Sequence, residues 1–157
     1  MVCSLSKPIA VVADPRSLAS RTPAKQRKTQ LRPIVDSICD TAFENGLPRS
    51  ALDVILNIIT LPNHLDIASV GKLVRSLYPA TKVHDGAVTS VIGCLGQGET
   101  KPAAQTQAAL LRWLIQVFEM MDNRGIVARF YGVLFNLLST YHLRFVLYPG
   151  HNVLGLR

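Results

Sequence analysis

Residues 102–121 read PAAQTQAALLRWLIQVFEMM, and residues 126–139 read IVARFYGVLFNLLS. At about 100° per residue, Arg112, Gln116 and Glu119 share one narrow face of the first stretch. Leu110, Leu111, Trp113, Leu114, Ile115, Val117, Phe118, Met120 and Met121 fill a sector of about 220° around the rest. In the second stretch only Arg129, Gly132 and Asn136 form a polar stripe. A single partner helix covers far less than such a sector, so both segments predict helices with neighbours on two sides, as interior members of a stacked array have.

The same helical rhythm continues upstream, with breaks at Gly, Pro and Asn. A first helix is predicted from Pro33 to Asn45, closed by Gly46. The second begins near Ser50, where Ser-Ala-Leu-Asp53 has the form of a capping box, and ends before Pro62. A third follows from Asp66 to Tyr78, stopped by Pro79, and a fourth from Thr81 or Lys82 to Leu95. The fifth takes Pro102 as its first residue and reaches Met121. Asp122, Asn123 and Gly125 form a turn into a sixth, Ile126 to Ser139, and a short seventh runs from His142 to Tyr148. About seven helices in pairs, repeating roughly every 35 to 45 residues, define an all-α chain and predict a HEAT-like solenoid fragment of antiparallel helix pairs. A plain helical bundle satisfies the same pattern.

Charge divides the chain differently. Residues 1–32 hold seven Lys and Arg side chains against Asp14 alone, and four prolines lie at or before position 33. The remaining 125 residues are nearly balanced, with ten basic and nine acidic side chains. This predicts a disordered basic arm over 1–32, a helical-repeat domain over 33–148 and an irregular segment over 149–157. Removal of such an arm is expected to leave thermal stability unchanged. The arm is either a solvated tail or a nuclear-import or DNA-phosphate contact through Lys25, Arg27, Lys28 and Arg32. Its apolar run, Ile9 to Ala13, is shorter than the roughly 7 to 15 residues of a secretory signal. No run has the roughly 18 uninterrupted apolar residues of a membrane span, so a soluble intracellular chain is expected, without membrane association.

Nothing in the pattern supports catalysis. Cys3, Cys39 and Cys94 are too scattered for a disulfide framework or zinc site. The four histidines lack ligand spacing, so no metal or cofactor is expected. Gly93-Cys-Leu-Gly96-Gln-Gly98 has the wrong glycine spacing for a phosphate loop and no strand before it. The His84-Asp85 pair reads as a helix start rather than half of a catalytic triad. No small-molecule substrate is implied. Trp113, Met120, Tyr131 and Phe135 remain as candidates for a partner surface, since aromatic and Met side chains favour interfaces. Core packing is the competing reading for each, and Trp113 and Met120 border the polar face.

Three strings carry a family resemblance: LVRSLYPATKV at 73–83, LGQGETKPAAQTQAALLRWLIQVFEMMD at 95–122 and YGVLFNLLSTYHLR at 131–144. Together they resemble the N-terminal region of the centromere protein I (CENP-I) family, over roughly 33–148. The resemblance implies a HEAT-like, non-enzymatic scaffold module of the inner kinetochore, located in the nucleus at the centromere. It also implies CENP-H and CENP-K homologues as partners, close to centromeric chromatin. After Tyr148 the segment PGHNVLGLR leaves the family pattern, as a truncated gene model, an unspliced end or an isolated fragment would each explain. A helical-repeat adaptor of another complex and a DNA-binding protein acting through the basic arm are the alternatives.

Overall fold

The structure is a computed structural model, and it describes residues 3–13, 24–62 and 65–139. Among these are eight α-helices: α1 (Cys3–Ala13), α2 (Ala24–Asn45), α3 (Arg49–Thr60), α4 (Ile67–Arg75), α5 (Asp85–Gly93), α6 (Ala104–Gln116), α7 (Gly125–Arg129) and α8 (Tyr131–Ser139). A 3-10 turn over Phe118–Met120 follows α6. No strand occurs among the described residues.

Packing follows alternate helices. The α2 helix packs on α4 and α4 on α6, while α3 packs on α5 and α5 on α7. Two layers result, as the wide apolar sectors require. Leu52, Ile55, Leu56 and Ile59 of α3, Val70 and Leu73 of α4, Val88 and Val91 of α5, and Leu110 of α6 form one continuous core.

At one end of the array the linkers pair through their main chains. Leu47, between α2 and α3, donates its N–H to the Tyr78 carbonyl (2.6 Å) and accepts from Ala80 N–H (2.9 Å). Val83, between α4 and α5, repeats the pattern, donating to Met120 O (2.8 Å) and accepting from Asp122 N–H (2.9 Å). Both are parallel bridges. Gly46 has φ 70°, and a Cβ there would lie 2.9 Å from Ala80 Cβ, so the close approach of the first two linkers requires glycine.

Several boundaries differ from those the sequence predicts. The α2 helix starts at Ala24 and passes through Pro33, and α1 contains Pro8. The disordered-arm expectation therefore fails for residues 3–13 and 24–32, while 14–23 lie outside the described residues. The reason is burial: Ile9 is buried, Val12 packs on the core, and Leu31 extends upstream the stripe of Val35, Ile38 and Ala42. A proline inside a helix costs about 3 kcal/mol, which apolar burial at two helix faces offsets. The α1 helix packs on both α2 and α3.

No capping box forms at Ser50. Pro48 occupies the cap position of α3 without a side-chain bond, and Asp53 instead accepts from His84 Nε2 at 3.1 Å. The side chain that does cap is Asp66, which accepts from Ser69 N–H at the start of α4. The α5 helix begins only at Asp85, because residues up to Val83 are committed to linker pairing. Pro102 lies outside α6, which starts at Ala104. The predicted fifth helix ends at Gln116, and the sixth divides at Phe130 into α7 and α8. The predicted seventh helix and residues 149–157 lie outside the described residues.

The docking of α1 makes a direct prediction. Ile9→Ala should lower unfolding free energy in urea by about 2–5 kcal/mol, the range for truncating a buried Ile, whereas exposed Lys7→Ala should stay within about 0.5 kcal/mol. Equal midpoints for the two variants would mean that α1 does not dock.

Candidate protein interface

The four predicted surface residues separate into two groups. Trp113 is only 4% exposed, which corrects the expectation that it faces outward. Its indole Nε1–H donates to the Leu77 carbonyl at 2.7 Å, tying α6 to the end of α4. A buried indole with its donor satisfied is a core anchor. Met120, Tyr131 and Phe135 are exposed, and the Tyr131 and Phe135 rings stack with centroids 5.9 Å apart and planes 24° apart. Their i, i+4 spacing on α8 places them one turn apart on the same face.

Three further apolar side chains are exposed in this part of the chain: Ile115 (73% exposed), Phe118 and Val133. Within α6, Ile115 lies about 60° from Arg112 on the helical wheel, the same angle that separates buried Trp113 from Gln116, so the wheel does not tell the two apart. Met120, which the wheel set beside the polar face, is exposed, whereas Phe118 is exposed although the wheel set it within the apolar sector, because α6 stops at Gln116 and the wheel no longer applies beyond it. The α8 segment YGVLFNLLS carries no ionisable group except the Tyr131 phenol. Nearby, Arg124 pairs with Glu119 at 3.0 Å.

The loop between α5 and α6 is locked by its own side chains. Gln107 is buried; its Nε2 donates to the Gly96 and Pro102 carbonyls (2.9 and 2.8 Å), and its Oε1 accepts from Gly96 N–H (2.9 Å). Lys101 Nζ donates to the Gly93 carbonyl at the end of α5. Gly96 has φ 101°, a conformation that favours glycine, and a Cβ there would meet Leu137 of α8 at 3.3 Å. The glycines of this loop thus terminate a helix and admit a neighbour.

Of the basic candidates, only the helical backbone is described for the first three. Lys25, Arg27 and Lys28 lie in the first turns of α2, and Arg32 pairs with Asp66 at 3.6 Å. His84 does not act with Asp85; its imidazole pairs with Asp53 as described above. Among the described residues no three His, Cys, Asp or Glu side chains gather as a metal set, and no helix is long and apolar enough to cross a membrane. Burial raises the Cys94 thiol to about 11, opposed by the nearby Lys101 charge. Burial also raises Cys39, opposed by a hydrogen bond from Ser76.

Over the described residues, short helices stacked in two layers with paired linkers define an all-α chain of HEAT-like helix pairs. Comparison with known proteins places it more closely. The family described as CENP-I: Mis6 matches residues 17–148. The inner kinetochore subunit mis6 of Schizosaccharomyces pombe (strain 972 / ATCC 24843) is 37% identical over 102 residues, covering 64% of this chain and 15% of that protein. Centromere protein I of Gallus gallus is 29% identical over 100 residues, covering 62% and 13%. A crystal structure of centromere protein Cenp-I superposes with a TM-score of 0.80 at 37% identity, covering 91% of this chain and 65% of that one. A Cenp-H/I/K triple complex of kinetochore subunits gives the same values. The chain belongs to the CENP-I (Mis6) family. It spans about 15% of the length of the mis6 relative.

Two predictions follow from this geometry. Trp113→Phe keeps most of the ring but leaves the buried Leu77 carbonyl without its donor, so stability should fall by about 1–3 kcal/mol in a urea titration; Tyr131→Ala should change it by less. For Cys94, the folded thiol holds its proton more tightly than the unfolded one, whose ordinary value is 9.0. Its contribution to stability is therefore fully present below pH 9 and is lost as pH rises towards 11. At pH 8 the native thiolate fraction should be about a hundred-fold below that of the unfolded chain, so iodoacetamide labelling followed by mass spectrometry should modify Cys94 only after denaturant is added.

Proposed function

We propose that this chain is a non-enzymatic scaffold module of the inner kinetochore that holds helical partners of the CENP-H and CENP-K type on the face formed by Met120, Tyr131 and Phe135. The observation that carries the reading is the stacked, exposed Tyr131–Phe135 pair on a helix whose other positions are almost wholly apolar. Rigid aromatic groups on an ordered helix lose little entropy when covered, and such anchors dominate the energetics of protein interfaces. The superposition on the Cenp-H/I/K triple complex supports the choice of partners. Family membership supports a location in the nucleus at the centromere.

DNA contact through the basic residues is the weaker reading. Arg32 is already paired with Asp66, and an arginine shared with a carboxylate releases fewer counterions on meeting phosphate.

Co-expression with CENP-H and CENP-K homologues should yield a complex that survives gel filtration. The double substitution Tyr131→Asp with Phe135→Asp should weaken it at least ten-fold, because two anchors are removed and two charges are buried against apolar surface. Reversal of exposed Arg112 to Glu should change it by less than about three-fold. The variants are first compared by thermal melting, since both rings are exposed and the fold should persist. Retention of full affinity by the double variant rules out this face.

A further inference from the structure

A second aromatic pair lies at the linker end of the array, on α2 and the segment after α4. Phe43, in the last turn of α2, is 76% exposed, and Tyr78, just beyond α4, is also exposed. Their rings meet edge to face, with centroids 5.9 Å apart and planes at 72°. Tyr78 is fixed by its main chain, its carbonyl accepting from Leu47 N–H and its N–H donating to Ser76 O. An edge-to-face pair leaves an open π face, and this one stands on an ordered junction between two helix pairs.

The charges along the same seam are unequal. Towards its start, α2 and the α4 region match their charges: Arg32 pairs with Asp66 at 3.6 Å and Asp36 with Lys72 at 2.7 Å. Towards the aromatic pair the matching stops. Asp40 lies one turn before Phe43 and Glu44 immediately after it, and both are exposed without an ion pair among the described residues. Arg75, in the last turn of α4, forms no ion pair with either among the described residues; its guanidinium lies beside Gly71 of its own helix.

We propose that the Phe43–Tyr78 pair, with Asp40 and Glu44 beside it, docks an arginine side chain of a basic protein segment. The chemistry selects arginine over lysine. A planar guanidinium stacks on an open ring while its N–H fork reaches a carboxylate, whereas an ammonium group offers neither the plane nor the fork. An uncharged apolar segment would use the rings and leave both carboxylates without a partner.

The test is a titration of the full 15N-labelled chain with the peptide Ser-Gly-Arg-Gly-Arg-Gly-Ser. Matched peptides carry Lys, Leu or Glu in place of Arg. Amide shifts centred on residues 40–47 and 76–80 are expected with the arginine peptide, weaker ones with lysine, and none with glutamate. Phe43→Ala, which removes an exposed ring and leaves the core intact, should weaken binding about two- to five-fold. The double substitution Asp40→Asn with Glu44→Gln should flatten its salt dependence. Shifts centred elsewhere, equal binding of the leucine peptide, or unchanged affinity in Phe43→Ala would each overturn the proposal. So would concentration-dependent shifts without peptide that vanish in Phe43→Ala, since a second copy of the chain would then be the occupant. These outcomes do not depend on the kinetochore assignment, which the CENP-H and CENP-K co-expression tests separately.

Discussion

Successive helix pairs in this protein are joined main chain to main chain. Leu47 grips the segment around Pro79, and Val83 grips the segment around Met121, each through one donated and one accepted hydrogen bond. Net of water, such bonds contribute about 0.5–1.5 kcal/mol each. Their larger effect is geometric, because each fixes both the distance and the direction of the following helices. The shortened α5, the end of α6 at Gln116 and the conversion of Phe118–Met120 to a 3-10 turn all follow from bringing Val83 and Met121 side by side.

The buried polar groups act in the same sense. Trp113 reaches from α6 to the Leu77 carbonyl beside the first bridge, and Gln107 closes the opposite loop with three hydrogen bonds. In each instance a side chain satisfies a carbonyl or N–H that burial would otherwise leave without a partner, a deficit of about 1–3 kcal/mol. Apolar packing supplies most of the cohesion, and these few groups select one register among many that would bury the same side chains. The string Leu95-Gly-Gln-Gly-Glu-Thr-Lys-Pro, conspicuous in the sequence, is accounted for as the self-locked loop.

Much of this was legible in the sequence and some was not, for physical reasons. The all-α class and the helix pairs follow from periodicity, and α3 lies close to the span between Ser50 and Pro62 although the capping box that marked its start does not form. The N-terminal region was misread because prolines and clustered positive charge suggest an unfolded arm, whereas Ile9, Val12 and Leu31 are enough to hold two helices. Linker pairing cannot be read locally, since Leu47 and Pro79 have no pattern that announces their partnership. That hidden contact is also why the predicted fourth and fifth helices were too long. Tyr131 and Phe135 were singled out as aromatic side chains with core packing as the competing reading, and both are exposed. Trp113 was misplaced because a wheel cannot show that an indole N–H will find a carbonyl 36 residues away.

Gly46 gives the linker pairing a further meaning. With no side chain, it lets Ala80 approach until any added carbon would be in hard contact. The pitch of the array between its first two repeats is thus set by a steric stop, like the shoulder on a hinge. Packed helix faces can shift against one another by about 1–2 Å, but a stop of this kind admits only one closed position. A side chain at residue 46 would leave the helices intact and wedge the hinge open, tilting everything after Pro79 relative to everything before it. Surfaces far apart along the chain would then lose their common alignment although every helix, and every exposed side chain on it, remained native.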